Sequence, residues 1–352
     1  MVTIKRLAKE AGVSFSTVAK ALNNDETINI ETRRRIQLLA KQLNYRPNIL
    51  ARGLRSRRTK TIGVILNDLQ SPFYSEIYKA IGEILDHNGY TMFLADSKYD
   101  EKLEKENILS MIGLGVEGLI ISSVSEMSDN IDFLLKSLVK TVFIDNRPNR
   151  NDINCVCVDH SIASSLATNY LLSRGHKDIL LLNGPKNLPS SRYFLEGYIK
   201  SLQEANLPFN ENLVIHDSLS LEQSVKLMGQ IFKGEHHLKR DAFSAIVTLS
   251  DVSAIGIYEA AQKHHYKIPD TYSVIGYDNI FPTKYLNPAL TTIHQPKEQT
   301  GSLAANMLLD TILGKEKEEA QVILSPILIE RDSVKSVKCL SNIGIDERDS
   351  IV

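Results

Sequence analysis

Ser16, Thr17 and Lys20 lie together in a short segment, Phe15–Leu22, whose apolar members are Val18, Ala21 and Leu22. Wound as a helix, the segment turns Val18, Ala21 and Leu22 inward and leaves Phe15, Ser16, Thr17, Ala19 and Lys20 free to meet a partner. Two hydroxyls and an ammonium suit the edges of base pairs: Lys can donate to guanine O6 and N7, and hydroxyls can serve several bases. A solvated charge or a phosphate contact is the alternative for Lys20. The surroundings are basic. Residues 1–60 hold 14 Lys and Arg against 4 Asp and Glu, whereas the remainder holds 27 against 38, so the net charge of −1 hides a basic head on an acidic body. Lys and Arg that neutralise phosphates release condensed counterions, which gives the head sequence-independent affinity for DNA, while the body is repelled.

Other candidate chemistry does not survive its context. Gly113, Gly115 and Gly118 satisfy the G-x-G-x-x-G spacing of dinucleotide sites, but the run closes a helical pattern and opens a strand. The fingerprint needs the reverse order to aim amides at a pyrophosphate. The pairs His236-His237 and His264-His265 lack partners at metal-ligand spacing. Cys155 and Cys157 share one face of a strand and read as buried structural thiols, with a metal or redox pair as the alternative; together with Cys339 they are too few for a disulfide scaffold. No G-x-S-x-G elbow, P-loop or H-E-x-x-H is present, and neither an enzyme activity, a cofactor nor a metal is expected. No apolar signal core opens the chain and no run approaches the roughly 18 apolar residues of a membrane span, which points to a cytoplasmic protein.

These residues must be positioned by two kinds of architecture. In the head, Thr3 caps a helix with Ile4, Leu7, Ala8 and Ala11 inside, Gly12 ends it, Ser14 caps the second helix, and a third spans 30–44. From Thr61 onward, short apolar runs alternate with amphipathic helices, the signature of parallel sheets covered by helices. Strands are expected at 62–66, 90–95, 118–122, 141–145, 155–158, 179–182, 245–248 and 273–277, and helices at 73–87, 101–114, 163–174, 192–205, 220–232 and 250–264. The fold class is thus a small all-α helix-turn-helix domain followed by an α/β domain.

The residues Thr3-Ile4-Lys5, Ala11-Gly12-Val13-Ser14, Thr17-Val18, Leu22-Asn23, Thr32-Arg33 and Leu43-Asn44-Tyr45-Arg46-Pro47-Asn48 resemble the LacI/GalR family of bacterial repressors in register. The likeness continues through Ile275-Gly276-Tyr277-Asp278-Asn279 and Pro288-Ala289-Leu290-Thr291-Thr292-Ile293, and only the tail after about Lys335 falls outside it. It implies a helix-turn-helix domain over 1–46, a hinge over 47–60, a two-lobed periplasmic-binding-protein-like effector and dimerisation domain over 61–335, and a mobile tail over 336–352. Lobe one would take 61–160 with 291–320 and lobe two 161–288 with 321–335, with crossovers near Asp159, Pro288 and Ala320. The resemblance further implies that Ser16, Thr17 and Lys20 approach base edges with Phe15 beside the backbone or a thymine methyl, and Thr3 and Asn23 are placed at the same DNA face. A hinge helix over 47–56 would carry Asn48 as its cap, Ala51 against its dyad mate, Leu54 as a wedge in the minor groove, and Arg52 and Arg55 toward phosphates or the groove edge.

Ligands of open parallel sheets bind beyond the carboxyl ends of the strands. Those positions offer Asp68, Phe73, Tyr74, Asp145, Ser190, Arg192, Ser250, Asp278 and Gln295 for an effector, with carboxylates and Arg for bidentate bonds and an aromatic face for stacking. Asp251 beside them reads as a helix cap. Many sugar- or purine-sensing relatives carry an Arg before the Leu-x-Gly-Tyr segment where Phe194 stands here, so either Arg192 reaches inward from a shifted position or the effector differs from theirs; the ligand expected is carbohydrate-like or a related small metabolite. The function expected is a homodimeric repressor of carbohydrate-related genes that binds a pseudopalindromic operator in double-stranded DNA under control of that ligand. A global regulator answering mainly to a protein coeffector, and an enzyme or sugar-binding protein with an accessory DNA head, are the alternatives.

Overall fold

The computed structural model describes residues 2–45, 58–216, 220–315 and 321–337. Asn48, Ala51, Arg52, Leu54 and Arg55 of the expected hinge helix, Cys339 and the tail from 338 lie outside the described residues. The chain forms two units, 1–60 and 61–352.

The first unit is three helices: α1 (Ile4–Ala11), α2 (Phe15–Leu22) and α3 (Ile30–Gln42). Local chemistry sets their ends. The Arg6 amide donates to Thr3 Oγ1, Gly12 takes the left-handed conformation (φ 65°) that a Cβ would oppose, and the Thr17 amide donates to Ser14 Oγ at 3.1 Å. The helices close on Leu7, Ala8, Ala11, Val18, Ala21, Ile36 and Ala40. Arg35 donates across this core to the Ala11 carbonyl (3.1 Å) and Arg33 to that of Ile28 (3.1 Å), so part of the basic charge braces the head.

The second unit holds two six-stranded sheets. The first contains β1 (Thr61–Leu66), β2 (Thr91–Asp96), β3 (Gly118–Ile121), β4 (Lys140–Ile144), β5 (Asn154–Val158) and β11 (Gln321–Leu324), in the order β11-β5-β4-β3-β1-β2 and parallel throughout. The second contains β6 (Ile179–Asn183), β7 (Val214–His216), β8 (Ala245–Thr248), β9 (Ser273–Asp278), β10 (Thr291–His294) and β12 (Ile327–Ile329), in the order β12-β10-β9-β8-β6-β7, with only β12 antiparallel. Every residue of β1, β6 and β9 is buried, as strands covered on both faces require. Helices α4 (Pro72–His87) and α11 (Lys297–Ile312) cover one face of the first sheet, and α5 (Glu101–Gly113) and α6 (Asp129–Lys136) the other. On the second sheet, α7 (His160–Ser173) and α8 (Pro189–Glu204) take one face, α9 (Leu221–Lys233) and α10 (Asp251–Lys263) the other.

Among the described residues the chain crosses between lobes three times, and two crossings differ from the expectation. The first lies at Asp159, between β5 and α7. The second falls at Gln295 and Pro296 instead of Pro288, because Thr291–His294 pairs in parallel with β9 and belongs to lobe two. The third falls between β11 and β12, so 321–324 completes the sheet of lobe one beside β5. Strand pairing decides both, since a strand assigned to the other lobe would lose its ladder of backbone hydrogen bonds. The run from Gly113 to Gly118 does join the end of α5 to the start of β3, the order that cannot serve a dinucleotide.

Candidate functional sites: a helix face in the head and a cleft between two lobes

In the head, α2 buries Val18 and Ala21 and turns its other face to solvent. Thr3, Phe15, Ser16, Lys20 and Asn23 are exposed and Thr17 is half-buried. Lys20 Nζ donates to Thr27 Oγ1 (3.2 Å), and the Thr17 and Ser14 hydroxyls bond each other at 2.9 Å. These are exposed bonds, exchangeable for bonds to a base or phosphate at little net cost.

In the second unit, the carboxyl ends of the two sheets face each other across a narrow cavity with ≈ 50 Å³ of water-accessible space. Asp68, Phe73, Tyr74 and Asp145 reach it from lobe one, and Ser190, Ser250, Asp278 and Gln295 from lobe two or the crossover. Eight of the nine sequence candidates are therefore brought together. Arg192 stands apart at the rim, where its Nη2 donates to both carboxylate oxygens of Glu126 (2.8 and 2.7 Å) and its guanidinium lies 4.6 Å from the Tyr193 ring. Glu126 follows β3 and Arg192 begins α8, so this pair clasps one lobe to the other.

The wall is hydrogen-bonded more densely than the sequence suggested. Tyr74 Oη donates to Asp145 Oδ2 (2.7 Å), the Ser122 hydroxyl reaches the same oxygen (3.2 Å), and Asn67 donates to Ser122 (3.0 Å). Tyr74 meets Phe73 edge-on, ring centroids 5.0 Å apart, and Tyr99 and Tyr277 line the cavity with them. Across the cavity, Gln295 Nε2 donates to Asp278 Oδ1 (2.7 Å) and His160 Nδ1 pairs with Tyr277 Oη (2.7 Å). Burial raises the Asp145 carboxyl above its ordinary range, offset in part by His160, Tyr74 and Ser122. Burial followed by the neighbouring Asp251 carboxyl pushes Asp278 up further, and burial keeps His160 below the usual imidazole value and hence neutral near pH 7.

Backbone strain gathers at the same place. Tyr99 (φ 55°), Asp145 (φ 61°) and Asp278 (φ 115°) all line the cavity with positive φ, a region costing a non-glycine residue about 1–3 kcal/mol unless its surroundings impose it. The surroundings do so at Asp278: Lys297, 1% exposed, donates through Nζ to the Asp278 carbonyl (2.5 Å) and the Asn279 carbonyl (3.1 Å).

Beneath the cavity, Asp251 does not cap its helix. Ser250 takes that role, its Oγ accepting from the Val252 amide at 3.1 Å. Asp251 is fully buried, and its two oxygens accept from Thr292 Oγ1 (2.7 Å) and the Ile280 amide (2.9 Å), tying α10 to the segments after β9 and within β10. Arg331 completes the support by donating to the Leu290 carbonyl (2.6 Å) and Asn279 Oδ1 (2.6 Å). Tyr99, Asn146 and His160 also line the cavity and were missed, although each sits within three residues of the end of β2, β4 or β5 and the strand-end rule would have reached them. Cys155 and Cys157 are buried free thiols, and among the described residues no cluster of His, Cys, Asp and Glu could hold a metal. No helix among the described residues is long and apolar enough to cross a membrane.

Residues 3–48 match the family described as bacterial regulatory proteins, lacI family, and residues 59–335 match periplasmic binding proteins and sugar binding domain of LacI family. The HTH-type transcriptional repressor PurR of Photorhabdus laumondii is 34% identical over 339 residues, covering 95% of this chain and 97% of that protein. Its namesake in Pasteurella multocida is 32% identical over 96% of this chain and 99% of that protein. Among solved structures, the lac repressor dimer bound to operator and the anti-inducer ONPF aligns with a TM-score of 0.81 at 25% identity, covering 95% of this chain and 99% of that one. A LacI family regulator from Enterococcus faecium with bound ribose aligns with a TM-score of 0.70 at 28% identity over 79% of this chain and 100% of that one.

Proposed function

The chain belongs to the LacI family of bacterial regulatory proteins, and on that premise we propose that it is a homodimeric transcriptional repressor whose DNA affinity is set by a small metabolite held between its lobes. The observation that carries the DNA half is α2, which is capped on Ser14, packed through Val18 and Ala21, and exposes Ser16, Lys20 and Asn23 on the opposite face. One such helix spans only a few base pairs, so specificity calls for two heads, and a protein dyad reads an inverted repeat. The relatives named repressor PurR support the sign of regulation, and a solved relative with bound ribose supports a carbohydrate-like or related ring metabolite as the effector.

The cleft supplies the means of control. Asp145 and Asp278 belong to different lobes and border one cavity, so an occupant that bonds both favours the lobe arrangement in which they face each other. Carrying that preference through a hinge to the heads requires a coupling of about 1–3 kcal/mol, or roughly 5- to 150-fold in operator affinity. No turnover is expected of a site built this way, which agrees with relatives that are regulators.

Selection of duplexes from a random pool by the full-length protein, at a stated near-physiological salt concentration, tests the reading. Enrichment of one inverted repeat is the expected outcome. A lone half-site would remove the dimer from the proposal, and no enrichment would leave only backbone binding by the basic head.

A further inference from the structure

Strand β5 carries two thiols on one face, and the effector reading uses neither. They are not equivalent. A second cavity, with ≈ 110 Å³ of water-accessible space, lies beside the cleft and is lined by Cys157, whereas Cys155 is fully buried and does not reach it. Its walls come from both lobes: Arg147, Cys157 and Ile323 from lobe one, Pro189 and Tyr193 at the start of α8 from lobe two. A water needs only about 10–15 Å³ of such space. A small reagent can therefore meet the Cys157 sulfur, although the residue as a whole is only 4% exposed.

The charges around that sulfur favour its ionised form. Arg147 lines the same cavity, and among the described residues its guanidinium has no hydrogen-bond or ion-pair partner. Of the groups facing it, Asp145 accepts from Tyr74 and Ser122 and is raised by burial toward its neutral form. Asp159 accepts from the Ile162 amide as the cap of α7, and His160 is kept neutral. The Cys155 thiol donates a hydrogen bond to Cys157, and this bond with the Arg147 charge outweighs burial, so the Cys157 thiol lies below its ordinary range. Cys155, whose proton is held in that bond and whose surroundings are dry, is pushed the other way.

We infer that Cys157 is a site of reversible oxidation by small hydroperoxides at the junction of the lobes, with Arg147 as the positioning residue that keeps its sulfur reactive. The thiolate attacks the terminal oxygen of the hydroperoxide. A sulfur–oxygen bond forms and the oxygen–oxygen bond breaks, so the sulfur is oxidised to a sulfenic acid and the peroxide reduced. The leaving alkoxide or hydroxide takes up the proton that the thiol released on ionising. Cys155 does not go on to close a disulfide. Two residues apart on a strand, the Cα atoms stand about 6.6 Å from each other, at the far end of the range a disulfide spans. Drawing them together would bend β5, which is paired to β4 on one side and β11 on the other. The sulfenic acid therefore persists until an added thiol reduces it.

The test exposes the full-length protein to hydrogen peroxide with dimedone present to trap sulfenic acid, and reads the adducts by mass spectrometry with fragment ions that separate Cys157 from Cys155. The expected result is an adduct on Cys157 that forms at least about tenfold faster than any on Cys155. Dithiothreitol added before dimedone should abolish it. Arg147→Gln should slow the Cys157 adduct by about threefold or more, because a tenfold loss of thiolate is about half offset by the greater nucleophilicity of a more basic sulfur. Arg147→Lys, which keeps the charge, should restore most of the rate. Circular dichroism checks that both variants are folded, and the comparison of the two thiols in the unaltered chain needs no variant. Equal labelling of Cys155 and Cys157, or a Cys157 adduct seen only after urea has unfolded the chain, would overturn the oxidation site. Equal slowing by Arg147→Gln and Arg147→Lys would overturn the part assigned to the Arg147 charge.

Discussion

Raising the pH should make the second unit less stable through Asp251, the reverse of ordinary carboxylate behaviour. The carboxyl is fully buried, and burial outweighs the bonds from Thr292 and Ile280 and the fields of Lys297 and Arg331, so its pKa is pushed up from 3.8 to about 7. The folded protein therefore holds this proton more tightly than the unfolded chain does. Stability from the protonated group is complete below the unfolded value and is lost progressively as pH climbs toward and past the folded one. At about 1.4 kcal/mol per pH unit the whole span is worth about 4 kcal/mol, of which about 2 kcal/mol falls between roughly pH 5.5 and pH 8. Asp251→Asn cannot ionise. Its amide nitrogen would face a donor, either the Thr292 hydroxyl or the Ile280 amide, at a fixed cost of about 1–3 kcal/mol. The difference in unfolding free energy between wild type and variant should accordingly shrink by about 2 kcal/mol over that interval, measured by urea unfolding followed by circular dichroism. Two curves that stay parallel across the interval would refute the argument, because the burial of Asp251 would then carry no ionisation cost.

Three further outcomes follow from contacts already described. Gly276→Ala places a Cβ 1.9 Å from Asp251 Oδ1 and 2.9 Å from Leu290, and should cost about 3 kcal/mol in the same unfolding assay; a loss under 1 kcal/mol would mean that β9 and α10 separate easily. The Arg192 and Glu126 clasp is half exposed on its Arg side, so a double-mutant cycle of Arg192→Ala and Glu126→Ala should show a coupling of only about 0.5–1 kcal/mol, and a value near zero would remove the clasp as a contributor to lobe closure. Lys20→Ala should weaken binding to a selected operator by about 1–3 kcal/mol and nonspecific duplex by less, whereas equal losses would make Lys20 a phosphate contact.

The head was legible because its helices carry their own punctuation: Thr3, Gly12 and Ser14 act on amides and carbonyls within a few residues of themselves. Strands such as β1 and β6 showed as unbroken apolar runs because both faces are covered. Elements that were not foreseen lack such local marks. β7, β11 and β12 are three or four residues long, and β10 is half threonine. α6 is the exception, eight residues long and capped on Ser128 as α2 is on Ser14. α11 packs on two sides, so its apolar residues do not form a single stripe, and a Cβ at Gly301 would lie 2.5 Å from the Ile77 carbonyl of α4. For the cleft, position after a strand was enough to nominate Asp68, Asp145 and Asp278. It could not reveal that Asp251 bonds residues 29 and 41 positions away, or that Arg192 is captured by Glu126 from the other lobe.

The central claim is that occupancy of the cleft changes DNA binding. Its direct test is the affinity of the full-length protein for its selected duplex, by fluorescence anisotropy at fixed salt, with and without each ring metabolite that binds the cleft. The account predicts a change of roughly 5- to 150-fold for at least one of them, lost in Asp278→Asn. A metabolite that fills the cleft and leaves the affinity unaltered would contradict it, and would leave the two units of this chain as neighbours without coupling.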